Sequence, residues 1–303
     1  MTRSHLPHHA VTLLTALLLL ALPTPSPAQA TLQTNSVIQI TFLDVGQADA
    51  ILIRAPGGQT ALIDAGRSDP SELLHQMGIE EIDLVVATHP HADHIGGMSD
   101  LLNAMPVRFY MDNGQAHTTA TYQRLLSTLQ EHTDITYLSA EPRIISLGSA
   151  ELEVLPLPPI DVDHNNRSVG LVLRFGSFTA FFSGDSEVEE LTHFLREGVM
   201  PDVTLLKAPH HGSNDAFTTD FLQTSCPEVV VISVGENNYG HPRPEALSAY
   251  ETVAQWVFRT DIVGQVTVFG AEDGRYAVLA GQDSLASGRE RAGVNPCGAA
   301  SNE

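Results

Sequence analysis

The chain has 303 residues and carries 15 Lys plus Arg against 36 Asp plus Glu, a formal charge of −21. A surface of that sign repels a long polyanion, because affinity for nucleic acid comes mostly from counterions released by basic groups. The charge balance therefore counts against tight binding along an extended stretch of DNA.

Residues 1–30 read as a secretory leader. Arg3, His8 and His9 precede an apolar stretch at 11–22, and a Pro-rich segment ends in Ala28-Gln29-Ala30, a small-residue cleavage site. The apolar stretch is short against the roughly 20 residues a membrane helix needs. The expectation is a secreted or periplasmic protein with no stable membrane span once the leader is removed. The about 273 residues that remain can bury one large core, assigned as a hydrolase domain over 31–285 followed by a tail over 286–303. Cys226 and Cys297 are the only cysteines, and the sequence leaves open whether they form a bridge or two free thiols.

After the leader, 37–42 reads as a strand, and 50–53 with 60–63 as a hairpin about Pro56-Gly57-Gly58. A helix over 71–77 starts near Ser68 or Asp69. The run 83–87 is a strand, and a helix follows over 94–103. A strand at 107–111 and a helix at 118–131 end the first half. The second half repeats the scheme: a strand at 150–155, a hairpin of 169–175 with 178–182, a helix at 187–197, and strands at 203–207 and 229–233. A helix at 244–257 and strands at 265–269 and 276–279 close the sheet. Polar loops rich in His and Asp follow the apolar strands, which favours an α/β architecture with its site at strand ends.

The densest of these loops is Thr88-His89-Pro90-His91-Ala92-Asp93-His94-Ile95-Gly96-Gly97. On a loop leaving a strand, His89 and His91 can converge on one ion, while Asp93 and His94 can serve another. The blander reading makes Asp93 the cap of the following helix. Asp185, delivered through Ser183-Gly184 from an apolar strand, reads as a carboxylate shared by two cations; its alternative is a helix cap. His210 and His211 are adjacent, so their side chains are expected to diverge. His211 is assigned as a metal ligand and His210 as a group that hydrogen-bonds a ligand or the substrate. Ser213 either contacts substrate or caps the next helix.

Taken in order, the Thr-His-Pro-His-Ala-Asp-His, Ser-Gly-Asp and Pro-His-His-Gly-Ser segments resemble the metallo-β-lactamase superfamily. Phe42-Leu43-Asp44-Val45-Gly46-Gln47, Asn165-Asn166-Arg167-Ser168-Val169 and Tyr239-Gly240-His241-Pro242 resemble, more narrowly, the hydrolase domain of competence channel proteins of the ComEC/Rec2 type, here without the channel. The resemblance spans about residues 36–280 and implies an αββα sandwich of two mixed sheets with helices outside. It further implies two divalent ions, Zn or Mn, held by His89, His91, Asp93, His94, Asp185 and His211, with Asp44 and Asp64 supporting the ligands.

Many superfamily members carry another His before the shared Asp. Here Asp163-His164-Asn165-Asn166-Arg167-Ser168 stands at that place, so His164 is an additional candidate ligand. Asn165, Asn166 and Ser168 are assigned to loop bracing or substrate contact, and Arg243 to substrate charge. The chemistry implied is hydrolysis by a metal-activated water. Asp93 would orient or deprotonate that water, and His210 or His241 would assist the leaving group. A phosphodiesterase or nuclease is the first reading, with a phosphodiester or other small ester as substrate, single-stranded DNA included. A β-lactamase or lactonase-like ring-opening hydrolase and a non-catalytic metal-dependent binding protein are the alternatives. No protein partner is predicted.

Overall fold

The structure is a computed structural model that describes residues 37–281, the backbone of 284–289, and Cys297. The leader assigned to 1–30 lies outside the described residues. The first six strands are β1 (Val37–Phe42), β2 (Ile51–Arg54), β3 (Thr60–Ile63), β4 (Ile82–Ala87), β5 (Val107–Asp112) and β6 (Thr136–Ser139). Seven more follow: β7 (Arg143–Leu147), β8 (Ala150–Val154), β9 (Leu171–Phe175), β10 (Phe178–Phe182), β11 (Leu205–Lys207), β12 (Val229–Ile232) and β13 (Trp256–Arg259). The chain then returns to the first sheet with β14 (Val266–Ala271), β15 (Arg275–Ala280) and β16 (Ser284–Arg289). The orders are β16-β15-β14-β1-β2-β3-β4-β5-β6 and β13-β12-β11-β10-β9-β8-β7. Both sheets are mixed: β1 pairs antiparallel with β2, whereas β3, β4 and β5 run parallel, as do β10, β11 and β12.

The period-two alternation of each strand decides which residues enter the sandwich. Ile38, Ile40 and Phe42 of β1 meet Leu171, Leu173, Phe178 and Phe182 in the core between the sheets. The opposite residues face outward onto helices. Leu62, Val85 and Tyr110 pack under α1 (Ser71–Gln76), α2 (Ala92–Ile95), α3 (Met98–Ala104) and α4 (Ala120–Glu131). Val172, Phe181, Leu206 and Val230 pack under α5 (Val188–Glu197), α6 (Thr219–Ser225) and α7 (Pro244–Val253). A last short helix, α8 (Thr260–Val263), joins the sheets. The expected αββα sandwich is the fold. No helix among the described residues is long and apolar enough to cross a membrane.

Several expectations are corrected. The single helix over 94–103 is two, α2 and α3, broken at Gly96-Gly97. A Cβ at Gly97 would lie 2.3 Å from Ser68 O, and one at Gly96 2.6 Å from Arg67 O, so the pair lets the 64–68 backbone press against the helix start. The helix expected to run to 257 stops at Val253; Trp256-Val257-Phe258 pair instead as edge strand β13. Strands β6 and β7 had no counterpart in the sequence reading, because as edge strands they alternate weakly and leave Tyr137 and Ile144 exposed. Strand β16 carries the first sheet to Arg289, past the 285 boundary. Cys226 and Cys297 form a disulfide, with Cα atoms 5.9 Å apart.

Candidate metal centre

The site lies where the C-terminal ends of β3, β4, β10, β11 and β12 meet. His89 leaves β4 fully buried, and its Nε2 lies 2.9 Å from His91 Nδ1, the spacing of two donors converging on a common point. His91 is the N-cap of α2, and its carbonyl accepts from His94 N. Asp93 therefore sits in the first turn of α2 rather than capping it, and it meets Arg67 Nη2 at 3.2 Å. His94 is buried with Nδ1 2.7 Å from Asp64 Oδ2. Asp64 already accepts from Thr88 N and Thr88 Oγ1, both at 2.8 Å, so the imidazole Nδ1–H donates and Nε2 is left as the free lone pair. Asp64 thus holds the His94 ring from behind.

Asp185 is set by Gly184, whose φ of +53° and close approach to Thr88 admit no side chain. Asp185 N donates to Ser168 Oγ at 3.1 Å. Its Oδ2 faces four imidazole nitrogens: His94 Nε2 at 3.1 Å, His211 Nε2 at 3.6 Å, His210 Nε2 at 3.7 Å and His89 Nε2 at 4.0 Å. His211 Nδ1 donates to the Ser233 carbonyl at 2.7 Å, which leaves its Nε2 as a lone pair too. Both His94 Nε2 and His211 Nε2 are buried with no hydrogen-bond partner, a costly state unless the lone pairs meet a cation. Burial would raise the Asp185 pKa, but His94, His211 and His210 hold it well below the usual carboxylate range. Burial opposes charge on His94, but Asp185 and Asp64 outweigh it and raise its pKa well above the ordinary value; a metal ion on Nε2 would take the place of that second proton. His210 and His211 do not diverge as expected. Both adopt left-handed backbone, φ 44° and 52°, which turns the two rings onto one carboxylate.

Asp49, His94, Asp185 and His211 each bring a ligand atom within 4.8 Å of the others. Asp49 has a cation already. Lys207, fully buried, places Nζ 2.5 Å from Asp49 Oδ2, 2.6 Å from the Gly184 carbonyl and 3.5 Å from Asp185 Oδ1. Asp49 also approaches His94 and His211 from their Nδ1 sides, at 3.8 and 3.7 Å, where the protons are. It belongs to a floor behind the ligands. Burial disfavours the ammonium, but Asp49 and then Asp185 outweigh it and raise the Lys207 pKa. Asp44, assigned a supporting role from the sequence, is exposed at the end of β1, and the chain must turn before Asp49 reaches the interior.

In front of the floor an open cleft of about 340 Å³ is lined by His91, Asp93, Asn165, Asp185, His210, His211 and His241, and by Gln47, Arg67 and Tyr239, which the sequence reading missed. That volume lies at the lower end of small-ligand sites. Asn165 Nδ2 donates to Glu187 Oε1 at 2.8 Å, so its Oδ1 is turned the other way, buried and unpartnered. Glu187 Oε1 lies 3.2 Å from His210 Nδ1. Asn166 and Ser168 do not reach the cleft: Asn166 binds Asp163, Glu187 and Glu190 N, and Ser168 supports Asp185 and His89. They are braces rather than substrate contacts. Ser213 is buried behind His210, α6 being capped by Thr218, and Arg243 is exposed as the N-cap of α7; neither lines the cleft. His164 lies behind His91, ring centroids 5.7 Å apart, and its Nδ1 meets Gln115 Oε1 at 3.3 Å. His241 has a buried, unpartnered Nδ1 and stands 5.4 Å from His210. Burial and the neighbouring His210, His211 and Arg243 push its pKa down to about 4, so near pH 7 it is a neutral ring and not a standing proton donor.

The donor set, all imidazole and carboxylate with unpartnered buried lone pairs, forms a buried site consistent with two metal ions and with a metal-dependent hydrolase. A family model described as the metallo-beta-lactamase superfamily matches residues 43–235. The chain is 27% identical over 254 residues to ComE operon protein 3 of Bacillus subtilis (strain 168), covering 75% of this chain and 32% of that protein. It is 25% identical over 239 residues to Recombination protein 2 of Haemophilus influenzae, covering 76% of this chain and 28% of that protein. It thus spans less than a third of the length of these relatives. The metallo-beta-lactamase fold protein YhfI from Bacillus subtilis superposes with a TM-score of 0.51 at 15% identity, over 73% of this chain and 95% of that one, a likeness of fold alone. With the family match covering well over half the chain and the ligand loops in place, this chain belongs to the metallo-β-lactamase superfamily.

Proposed function

We propose that this chain is a dinuclear metal-dependent phosphodiesterase acting outside the cytoplasm. The observation that carries the reading is Asp185 Oδ2 standing among four imidazole Nε2 atoms at 3.1 to 4.0 Å. His89 and His91 with Asp185 would hold one ion; Asp93, His94 and His211 with Asp185 would hold the other. Zn or Mn is the expected metal. Bound there, two divalent ions supply Lewis acidity and lower the pKa of a water.

The chain's own residues do the rest. Asp93, on the cleft wall and held by Arg67, orients the attacking water and takes its proton. His210, steadied by Glu187, and the neutral His241 stand where the departing oxygen leaves. The phosphodiester assignment is supported by the likeness to proteins named for competence and recombination. Export is supported by the leader composition and by the Cys226–Cys297 bridge, since such bonds persist in oxidising compartments.

The test is to load the mature chain with Mn or Zn and assay bis-p-nitrophenyl phosphate, single-stranded DNA and nitrocefin. Cleavage of the two phosphodiesters, abolished in Asp185→Ala, is expected. Turnover of nitrocefin alone would make the chain a ring-opening hydrolase and sink the proposal. Binding of metal without turnover of any ester would make it a binding protein.

A further inference from the structure

The segment between β12 and α7 is built around one side chain. Asn237 Nδ2 donates to the carbonyls of Gly235 and His241, both at 2.8 Å. Its Oδ1 accepts from Tyr239 N at 3.1 Å, Gly240 N at 2.9 Å and His241 N at 3.0 Å. Gly240, at φ +77°, makes the turn that these bonds require. The loop is thereby pre-organised, and what it presents to the cleft is an aromatic ring. Tyr239 lines the cleft and is 57% exposed, with its ring centroid 5.8 Å from that of His241 at an interplanar angle of 33°. His241 in turn stands edge-on to His210 at 5.4 Å. Three rings thus lead outward from Asp185, and the outermost has a free face.

Charge narrows what that face can serve. Arg67 is the one Lys or Arg among the described residues of the cleft wall, and it is already paired with Asp93. Arg243, outside the wall but beside Gly240 and His241, is a second cation near it, and against a formal charge of −21 on the chain two guanidiniums give a long phosphate backbone little to follow. Further affinity can come from contacts that do not need positive charge. Stacking of a planar ring on an aromatic side chain is such a contact, and it tolerates any base.

We propose that Tyr239 forms a base subsite: its exposed face stacks on the planar ring of a nucleoside whose phosphodiester lies over Asp185. The substrate is a dinucleotide-sized ester or the end of a strand, not an internal stretch of a long polyanion. This rests on the phosphodiesterase reading and adds the residue that selects within that class. Because Asn237 fixes the loop before substrate arrives, little ordering cost falls on binding.

The experiment uses the full Mn-loaded chain in two arms. Calorimetry compares thymidine monophosphate with methyl phosphate. Kinetics compare a thymidine dinucleotide with its abasic counterpart, which keeps the phosphodiester and removes the bases. Wild type is expected to prefer the ligand that carries a base on the order of tenfold. Tyr239→Ala should erase that preference through KM rather than kcat, and Tyr239→Trp should keep it. The subsite is overturned if wild type shows no preference, or if Tyr239→Ala retains it. A preference lost in Tyr239→Ala with no turnover of any phosphodiester would leave the subsite standing and remove the hydrolytic reading. Turnover with equal KM for both dinucleotides would do the reverse.

Discussion

Behind Asp185 the site is sealed: Lys207, Asp49 and Asp64 are fully buried, and each is matched to a named partner within 2.8 Å. In front of it the cleft is open, and His210, Tyr239, His241 and Arg67 stand partly or largely exposed around it. The floor works in a dry interior, where an unpaired charge is expensive and geometry is rigid. The mouth works in contact with water, where charges are screened and side chains can meet a ligand. The contrast assigns roles. Under the proposed function, floor residues would orient the metal ligands and contribute to folding stability, and mouth residues would meet the substrate and contribute little to stability.

Five substitutions probe that division. Asp185 lies on the boundary, so Asp185→Ala should lower phosphodiester turnover on the order of a thousandfold or more and reduce bound metal in elemental analysis. Wild-type metal content in that variant would remove Asp185 from the ligand set. In the floor, Lys207→Met leaves Asp49 buried without its cation and should cost about 3–5 kcal/mol in urea unfolding. Pairing it with Asp49→Leu should recover much of that loss, and a double-mutant cycle measures the coupling. A cost below about 1 kcal/mol would mean the pair behaves as a surface contact.

In the mouth, His241→Ala should lower kcat about tenfold, the loss of a hydrogen bond from its neutral ring to the departing oxygen, with the unfolding midpoint unchanged. A large loss of stability there would erase the distinction between the two regions. The smallest effect concerns Glu190, buried under the 166–168 brace, where its Oε2 accepts from Ser168 N at 3.0 Å and Ser186 Oγ at 2.6 Å. Burial pushes its carboxyl well above the ordinary value of 4.5. The fold therefore favours the protonated form. That stabilisation is fully present below pH 4.5 and is lost as pH rises through the elevated folded value. Glu190→Gln keeps the acceptor and removes the charge, so it should gain on wild type steadily as unfolding is measured from acid to neutral pH. A constant difference would show that Glu190 does not titrate with folding.

The mouth and the floor were also unequally legible. The imidazoles of His89, His91 and His94 are close in sequence and leave one apolar strand, so their clustering is legible from spacing. Asp185 was readable because an apolar strand delivers it through Gly184. Asp49 and Lys207 were not. Asp49 sits five residues after Asp44 in the same turn, and nothing local says which of the two turns inward. Lys207 closes an apolar strand where a lysine ordinarily marks the return to solvent. The strand alternation that sends Leu205 into the core carries Lys207 to the same side, but only the arrival of Asp49 from the other sheet makes its burial tolerable. For Asn166 and Ser168 the sequence leaves bracing and substrate contact both open, and they are braces because α5 brings Glu190 against them.

The strand-and-helix alternation, the core faces and the placing of the His- and Asp-rich loops at strand ends follow from the sequence alone, because hydrophobic period and short-range spacing are local properties of the chain. Packing of the two sheets sets which carboxylates face the candidate metal centre, that His210 and His211 converge, and that Tyr239 overlooks the cleft. These depend on burial, backbone handedness and charges brought together from distant segments. Their free energies exist only once the two sheets have packed.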